Sequence, residues 1–67
     1  MIKNGLRDRI GQQQADATVN LFDRGPVFTV YEFGDALGCV RMARRFLENA
    51  AKRGLVKLWN DGTWRRV

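Results

Sequence analysis

Residues 29–54 read TVYEFGDALGCVRMARRFLENAAKRG, and two short helices joined by a glycine turn account for them. Thr29 has the place of a helix N-cap, because Glu32 follows three residues later at the spacing of a capping box. Phe28 before the cap and Phe33 at the fourth helical position have the spacing of a hydrophobic staple. In the helix that follows, Val30, Phe33, Ala36 and Leu37 face one way, and Tyr31, Glu32 and Asp35 face the other. Gly38 ends it. A second helix is expected from about Val40 to Arg53, closed by Gly54. At 100° per residue its Arg41, Arg44, Arg45, Glu48 and Lys52 fall within about a 100° arc. Ala43, Phe46, Leu47 and Ala50 fill the opposite arc, so this helix has an apolar back and an arginine-rich front.

On the C-terminal side, Leu55 to Trp59 reads as a strand, Asn60-Asp61-Gly62 as a turn, and Thr63 to Val67 as the returning strand. Two registers remain open. A two-residue Asp61-Gly62 turn sets Trp59 opposite Trp64 and Lys57 opposite Arg66 on one face, with Val56, Leu58 and Val67 toward the core. A three-residue loop pairs Leu58 with Trp64, sends the two tryptophans to different faces and puts Trp64 in the core. On the N-terminal side, Leu6 to Phe22 reads as a helix, with Gly11 leaving its start open between Asn4 and Gly11. Leu6, Ile10, Ala17 and Leu21 share one face; Ala15, Val19 and Phe22 share another. Gly25 is expected as its C-terminal cap, with Pro26 preventing continuation. Val27 and Phe28 then form a short extended piece.

The chain of 67 residues is read as a single domain, residues 1–67, with a small core. One cysteine and no histidine leave no internal disulfide and make a structural zinc site a poor fit. The lone Cys39 and the lack of a secretory pattern point to a reducing, cytoplasmic setting. No apolar run approaches the ~20 residues that cross a bilayer. Charge is uneven. Residues 1–37 carry four basic against five acidic groups, and residues 38–67 carry eight against two. Nine of the twelve basic residues are arginine, whose planar fork grips phosphate or guanine with two hydrogen bonds.

The order helix, short strand, helix, turn, helix, hairpin resembles the winged helix-turn-helix family over about Gly11 to Val67. The residues that carry the likeness are Phe33-Gly34 and Leu37-Gly38, and the ending Arg53-Gly54-Leu55-Val56. A small residue at Gly34 lets the following helix pack closely, and Gly38 supplies a turn with positive φ. The turn, with Cys39 and Val40, is about one residue shorter than is usual there, and Ala43 takes the buried position. The resemblance implies an α+β fold of three helices, a short strand and a C-terminal β-hairpin wing. It also implies double-stranded DNA as partner, read in the major groove by the third helix. Arg41 and Arg45 are then expected at or near base edges. Arg44, Lys52, Lys57, Arg65 and Arg66 are expected at phosphates, with Trp59 and Trp64 as possible wing contacts. Glu48 has the spacing to pair with Arg44, Arg45 or Lys52.

Catalysis finds little support. Without histidine the commonest acid–base group at neutral pH is missing, and the seven carboxylates are dispersed over caps, turns and helix surfaces. Cys39 lacks an activating base and reads as a small apolar turn residue. No catalytic residue, metal ligand, cofactor, small-molecule ligand or membrane segment is expected. The leading expectation is a nucleoid-associated regulator of transcription or architectural factor, binding side by side or as a homodimer through helix one, unless both apolar patches of that helix are buried within the chain. The rival is a winged-helix adaptor, accessory subunit or inhibitor that contacts protein alone. RNA binding lacks the interleaved aromatics on a sheet face that single-strand readers use.

Overall fold

The computed structural model describes residues 2–25 and 27–67, with residues 2–7 described by their backbone. Pro26 and the Leu6 side chain, both given roles above, lie outside the described residues. The elements are α1 (Ile2–Phe22), β1 (Val27–Phe28), α2 (Val30–Leu37), α3 (Val40–Lys52), β2 (Val56–Leu58) and β3 (Trp64–Arg66). The strands make one antiparallel sheet in the order β1-β3-β2. This is an α+β domain in the layout of a small winged helix-turn-helix.

Helix α1 starts at Ile2 and runs unbroken through Gly11, four residues ahead of the expected Leu6. Its core face is Gly11, Ala15, Thr18 and Phe22, all buried and spaced four, three and four apart. Three of these are small, so α3 comes close with Ala43, Leu47 and Ala50, which are also buried. Thr18 was absent from the expected apolar faces. Its hydroxyl donates to the Gln14 carbonyl at 2.8 Å, which satisfies the polar atom and leaves the side chain fit for a core. Gly11 lies under Arg53: a Cβ there would stand 3.0 Å from the guanidinium. Arg53 donates through Nε to Gln12 Oε1 at 3.2 Å and through Nη1 to the Asn49 carbonyl at 3.2 Å, and Asn49 donates to Gln14 Oε1. A polar clasp thus ties the exposed side of the α1–α3 contact. On the other expected face of α1, Ile10 is exposed, and Ala17 and Leu21 are half-buried.

Three phenylalanines join the end of α1, β1 and α2. Phe22 packs edge-on to Phe28 with ring centroids 5.0 Å apart, and Phe33 lies 5.8 Å from each of them. Gly25 does not take the left-handed conformation expected of a helix cap. A Cβ there would meet the Phe28 ring at 3.1 Å, so the ring's seat explains the glycine. The staple pair Phe28–Phe33 is in place, and so is the capping box. The Glu32 N–H donates to Thr29 Oγ1 at 3.2 Å, and the Thr29 N–H donates to Glu32 Oε1 at 3.0 Å.

The turn between α2 and α3 rests on two glycines. Gly38 has φ 89°, and its N–H and that of Cys39 both donate to the Gly34 carbonyl, at 2.9 and 3.1 Å. A Cβ on Gly34 would fall 2.7 Å from Val40 Cα, a backbone atom that cannot step aside. Ala36, expected on the packed face of α2, is exposed instead, because Gly34 takes the closest contact with α3. Cys39 is the N-cap of α3, exposed and without a side-chain cap bond, so it is not an apolar filler of the turn. Helix α3 ends in a Schellman pattern. Gly54 at φ 73° donates to the Ala51 carbonyl, and Leu55 donates to that of Ala50, each at 3.0 Å.

Gly34→Ala sets two effects against each other. Alanine improves a mid-helix position by ~1 kcal/mol, but crowding a packed backbone costs about 1–3 kcal/mol. With Val40 Cα at 2.7 Å the clash dominates. The variant should lose about 1–2 kcal/mol of unfolding free energy in a urea titration; a gain would show that α2 and α3 do not approach this closely.

Candidate nucleic-acid interface

Burying Ala43, Leu47 and Ala50 against α1 turns the opposite side of α3 outward. Arg41, Arg44, Arg45, Glu48 and Lys52 are all exposed there. Among the described residues the one ion pair is Arg65–Asp61, in the hairpin. Glu48 therefore pairs with none of the three basic residues expected beside it, and the arginines of α3 point into solvent unneutralised.

The hairpin takes the register with the longer loop. Val56 faces Arg66, Lys57 faces Arg65 and Leu58 faces Trp64. The Gly62 N–H donates to the Trp59 carbonyl at 3.0 Å, and the Trp59 N–H donates to that of Thr63 at 2.8 Å. With Gly62 at φ 84°, this is a three-residue loop closed by a left-handed glycine. Facing residues share a side of a sheet. Val56, Leu58, Trp64 and Phe28 therefore look toward the helices, while Lys57, Arg65 and Val27 look away. Trp64 packs against the core and Trp59 is half-exposed on the outer face, so the two-residue register, with its paired tryptophans, is excluded. Leu58 and Val67, expected toward the core under that register, are exposed.

The basic residues of the wing consequently have three different surroundings. Lys57 is exposed on the outer face. Arg66 donates through Nη1 to the Leu55 carbonyl at 3.1 Å, at the junction of α3 and β2. Arg65 is held on three sides. Its Nη2 donates to Asp61 Oδ2 at 3.4 Å, its Nε to Thr63 Oγ1 at 3.4 Å, and its Cζ lies 4.2 Å from the centre of the Trp59 ring. Asp61 is the hub of this cluster, accepting from the Thr63 hydroxyl at 2.6 Å and from the Thr63 N–H at 3.0 Å. Those two bonds, and then the nearby Arg65 charge, hold its carboxyl below its ordinary pKa of 3.8. Asp-Gly-Thr at a hairpin tip, an Asx-turn spacing, is the signal in the sequence for this role.

Between α3 and the inner face of the wing runs a groove of about 370 Å³, with Val30, Leu58 and Trp64 as its apolar floor, Arg44 and Glu48 along one wall, and Gly62 at one end. The groove lies on the inner side of the sheet, and Lys57 and Arg65 are on its outer side. The expected residues thus fall into two sets. Arg41, Arg44, Arg45 and Lys52 stand together on α3, with Trp64 beneath the groove. Lys57, Trp59 and Arg65 stand together on the outer face of the sheet, and Arg66 joins neither. Arg53, one of the eight basic residues of the C-terminal half, is committed to the α1 clasp.

No group of metal-ligating side chains occurs among the described residues, and no helix among them is long and apolar enough to cross a membrane. No protein-family model, curated protein or solved structure matches the chain. Fold and site define a small winged-helix layout that presents an unneutralised arginine helix.

Because the Asp61 carboxyl is depressed on folding, its contribution to the wing is full above the ordinary carboxylate range. It is lost as the pH falls through the folded value. Acidification should release the Arg65 stack and change Trp59 fluorescence with a midpoint below 3.8. In Asp61→Asn that step should be missing; an identical step in the variant would remove Asp61 from the role.

Proposed function

We propose that this chain is a small DNA-binding protein that sets α3 in the major groove of double-stranded DNA, as a transcriptional regulator or an architectural factor. One observation carries the reading: four cationic side chains, Arg41, Arg44, Arg45 and Lys52, share the exposed side of α3, and Glu48, the one carboxylate among them, forms no ion pair with any. Like charges gathered without neutralisation repel one another, and a polyanion is the partner that relieves this. Arg41 and Arg45, in the first turns of the helix, contact base edges; Arg44 and Lys52 contact phosphate. Arg66 and the outer-face Lys57 and Arg65 contribute to the positive field. So small a reader makes few contacts, which favours side-by-side or dimeric binding. The exposed Ile10 on α1 is the residue for such a contact. A cytoplasmic, nucleoid-associated location follows from the same reading.

A second reading, a protein-binding adaptor, draws on the groove. Leu58 is half-exposed in its floor beside Trp64, and an apolar segment of a protein partner would cover it. Under that reading Arg44 and Glu48 would flank the partner and DNA would play no part.

A duplex-binding titration at several salt concentrations separates the two. Log affinity should fall against log salt with a slope of about −2 or steeper, as expected when two or more phosphates are neutralised. Arg41→Ala or Arg45→Ala should each reduce discrimination between duplexes by ~5- to 150-fold, the worth of one bidentate base contact. Wild-type affinity and discrimination in both variants would favour the adaptor.

A further inference from the structure

The outer edge of the wing holds a hollow of about 230 Å³ lined by Lys57, Leu58, Trp59 and Asn60. Four consecutive residues there bring together a flat indole, a side-chain amide and an ammonium group. We propose that this hollow takes one unpaired nucleotide of single-stranded DNA. The base stacks on Trp59, the Asn60 amide meets its edge, and Lys57 meets its phosphate.

The indole is already fixed. Its backbone is tied on both sides of the loop, through Trp59 N–H to Thr63 and Gly62 N–H to Trp59. Its ring is backed by the Arg65 guanidinium, which Asp61 and Thr63 hold in turn. With one face so occupied, half of the residue remains open to solvent. Stacking on it therefore costs little side-chain ordering. The partner must also supply a free planar face, and in a duplex each base has both faces covered by its neighbours. An unpaired base has one to offer.

Charge selects the same partner. Lys57 and Arg65 share this side of the sheet, and the nearby carboxylate, Asp61, is spent on Arg65. A phosphate-linked strand meets net positive charge along the edge. Lys57 and Arg65, which backs the Trp59 ring, lie on the side of the sheet away from the helices, so a base stacked on Trp59 leaves α3 accessible. It goes beyond the duplex reading and does not depend on it.

The test uses the full chain and three labelled probes: a blunt duplex, the same duplex with a six-nucleotide thymidine tail, and (dT)12. Fluorescence anisotropy should show the tailed duplex bound roughly tenfold tighter than the blunt one, the scale of one stacked base. Trp59→Ala should bring that ratio to one, and Trp59→Phe should retain most of it. If Trp59→Ala does not fold, Asn60→Ala and Lys57→Ala, both at exposed positions, should each lower the ratio severalfold. In the wild type, (dT)12 should shield tryptophan fluorescence from acrylamide. A ratio near one in the wild type, or an unchanged ratio in Trp59→Ala, overturns the proposal. Binding of (dT)12 without binding of blunt duplex upholds it and removes the duplex reading instead.

Discussion

The contact between Gly34 and Val40 governs the arrangement of the rest. No side chain separates the two backbones, so α2 and α3 cross closely and the chain between them shrinks to Gly38 and Cys39. Gly38 makes this possible by reversing the chain at φ 89° while its N–H closes on the Gly34 carbonyl. The crossing fixes the roll of α3 about its own axis. Once Ala43, Leu47 and Ala50 are committed to the core, the arginines have only the outer side left. The exposure of the cationic stripe is thus a consequence of how two glycines place a helix.

The second determinant is the thinness of the α1–α3 interface. Gly11, Ala15 and Thr18 on one side and Ala43 and Ala50 on the other bury little volume each, so apolar area alone contributes modestly. The interface is compensated by the phenylalanine cluster at one end and the Arg53–Asn49–Gln14 clasp along its side. That use of Arg53 matters for function, because it ties the guanidinium to Gln12 and Asn49 and away from the stripe of α3. Arg65 and Arg66 are likewise engaged within the wing. Of the cations in the C-terminal half, Arg65 alone is matched by a carboxylate among the described residues, while those of α3, Lys57 and Arg66 stay exposed.

Much of the fold was legible because it rests on short-range rules. Thr29 and Glu32, Phe28 and Phe33, and the glycines at 34, 38 and 54 each act within a few residues of themselves, and each does what its spacing predicts. The stripe of α3 was legible for the same reason. Features that depend on distant neighbours were not. Thr18 counts as polar until its hydroxyl is seen bonded to its own helix. Gly11 looks like an interruption until Arg53 is seen lying over it. Two hairpin registers fit the same residues, and pairing of β3 with β1 as well as β2 is a tertiary matter. The partners of Arg65 and Arg66 follow only once that register is set.

The central claim is that the outward side of α3 is the surface that meets duplex DNA. It is tested most directly by following backbone amide and arginine Nε–H resonances of the labelled chain as a duplex is added. Shifts concentrated at Arg41, Arg44, Arg45 and Lys52, with the α1 positions around Asp16 and Asn20 unmoved, are the predicted result. Resonances of α3 that stay in place while others move, or no change at all at low salt, would contradict it.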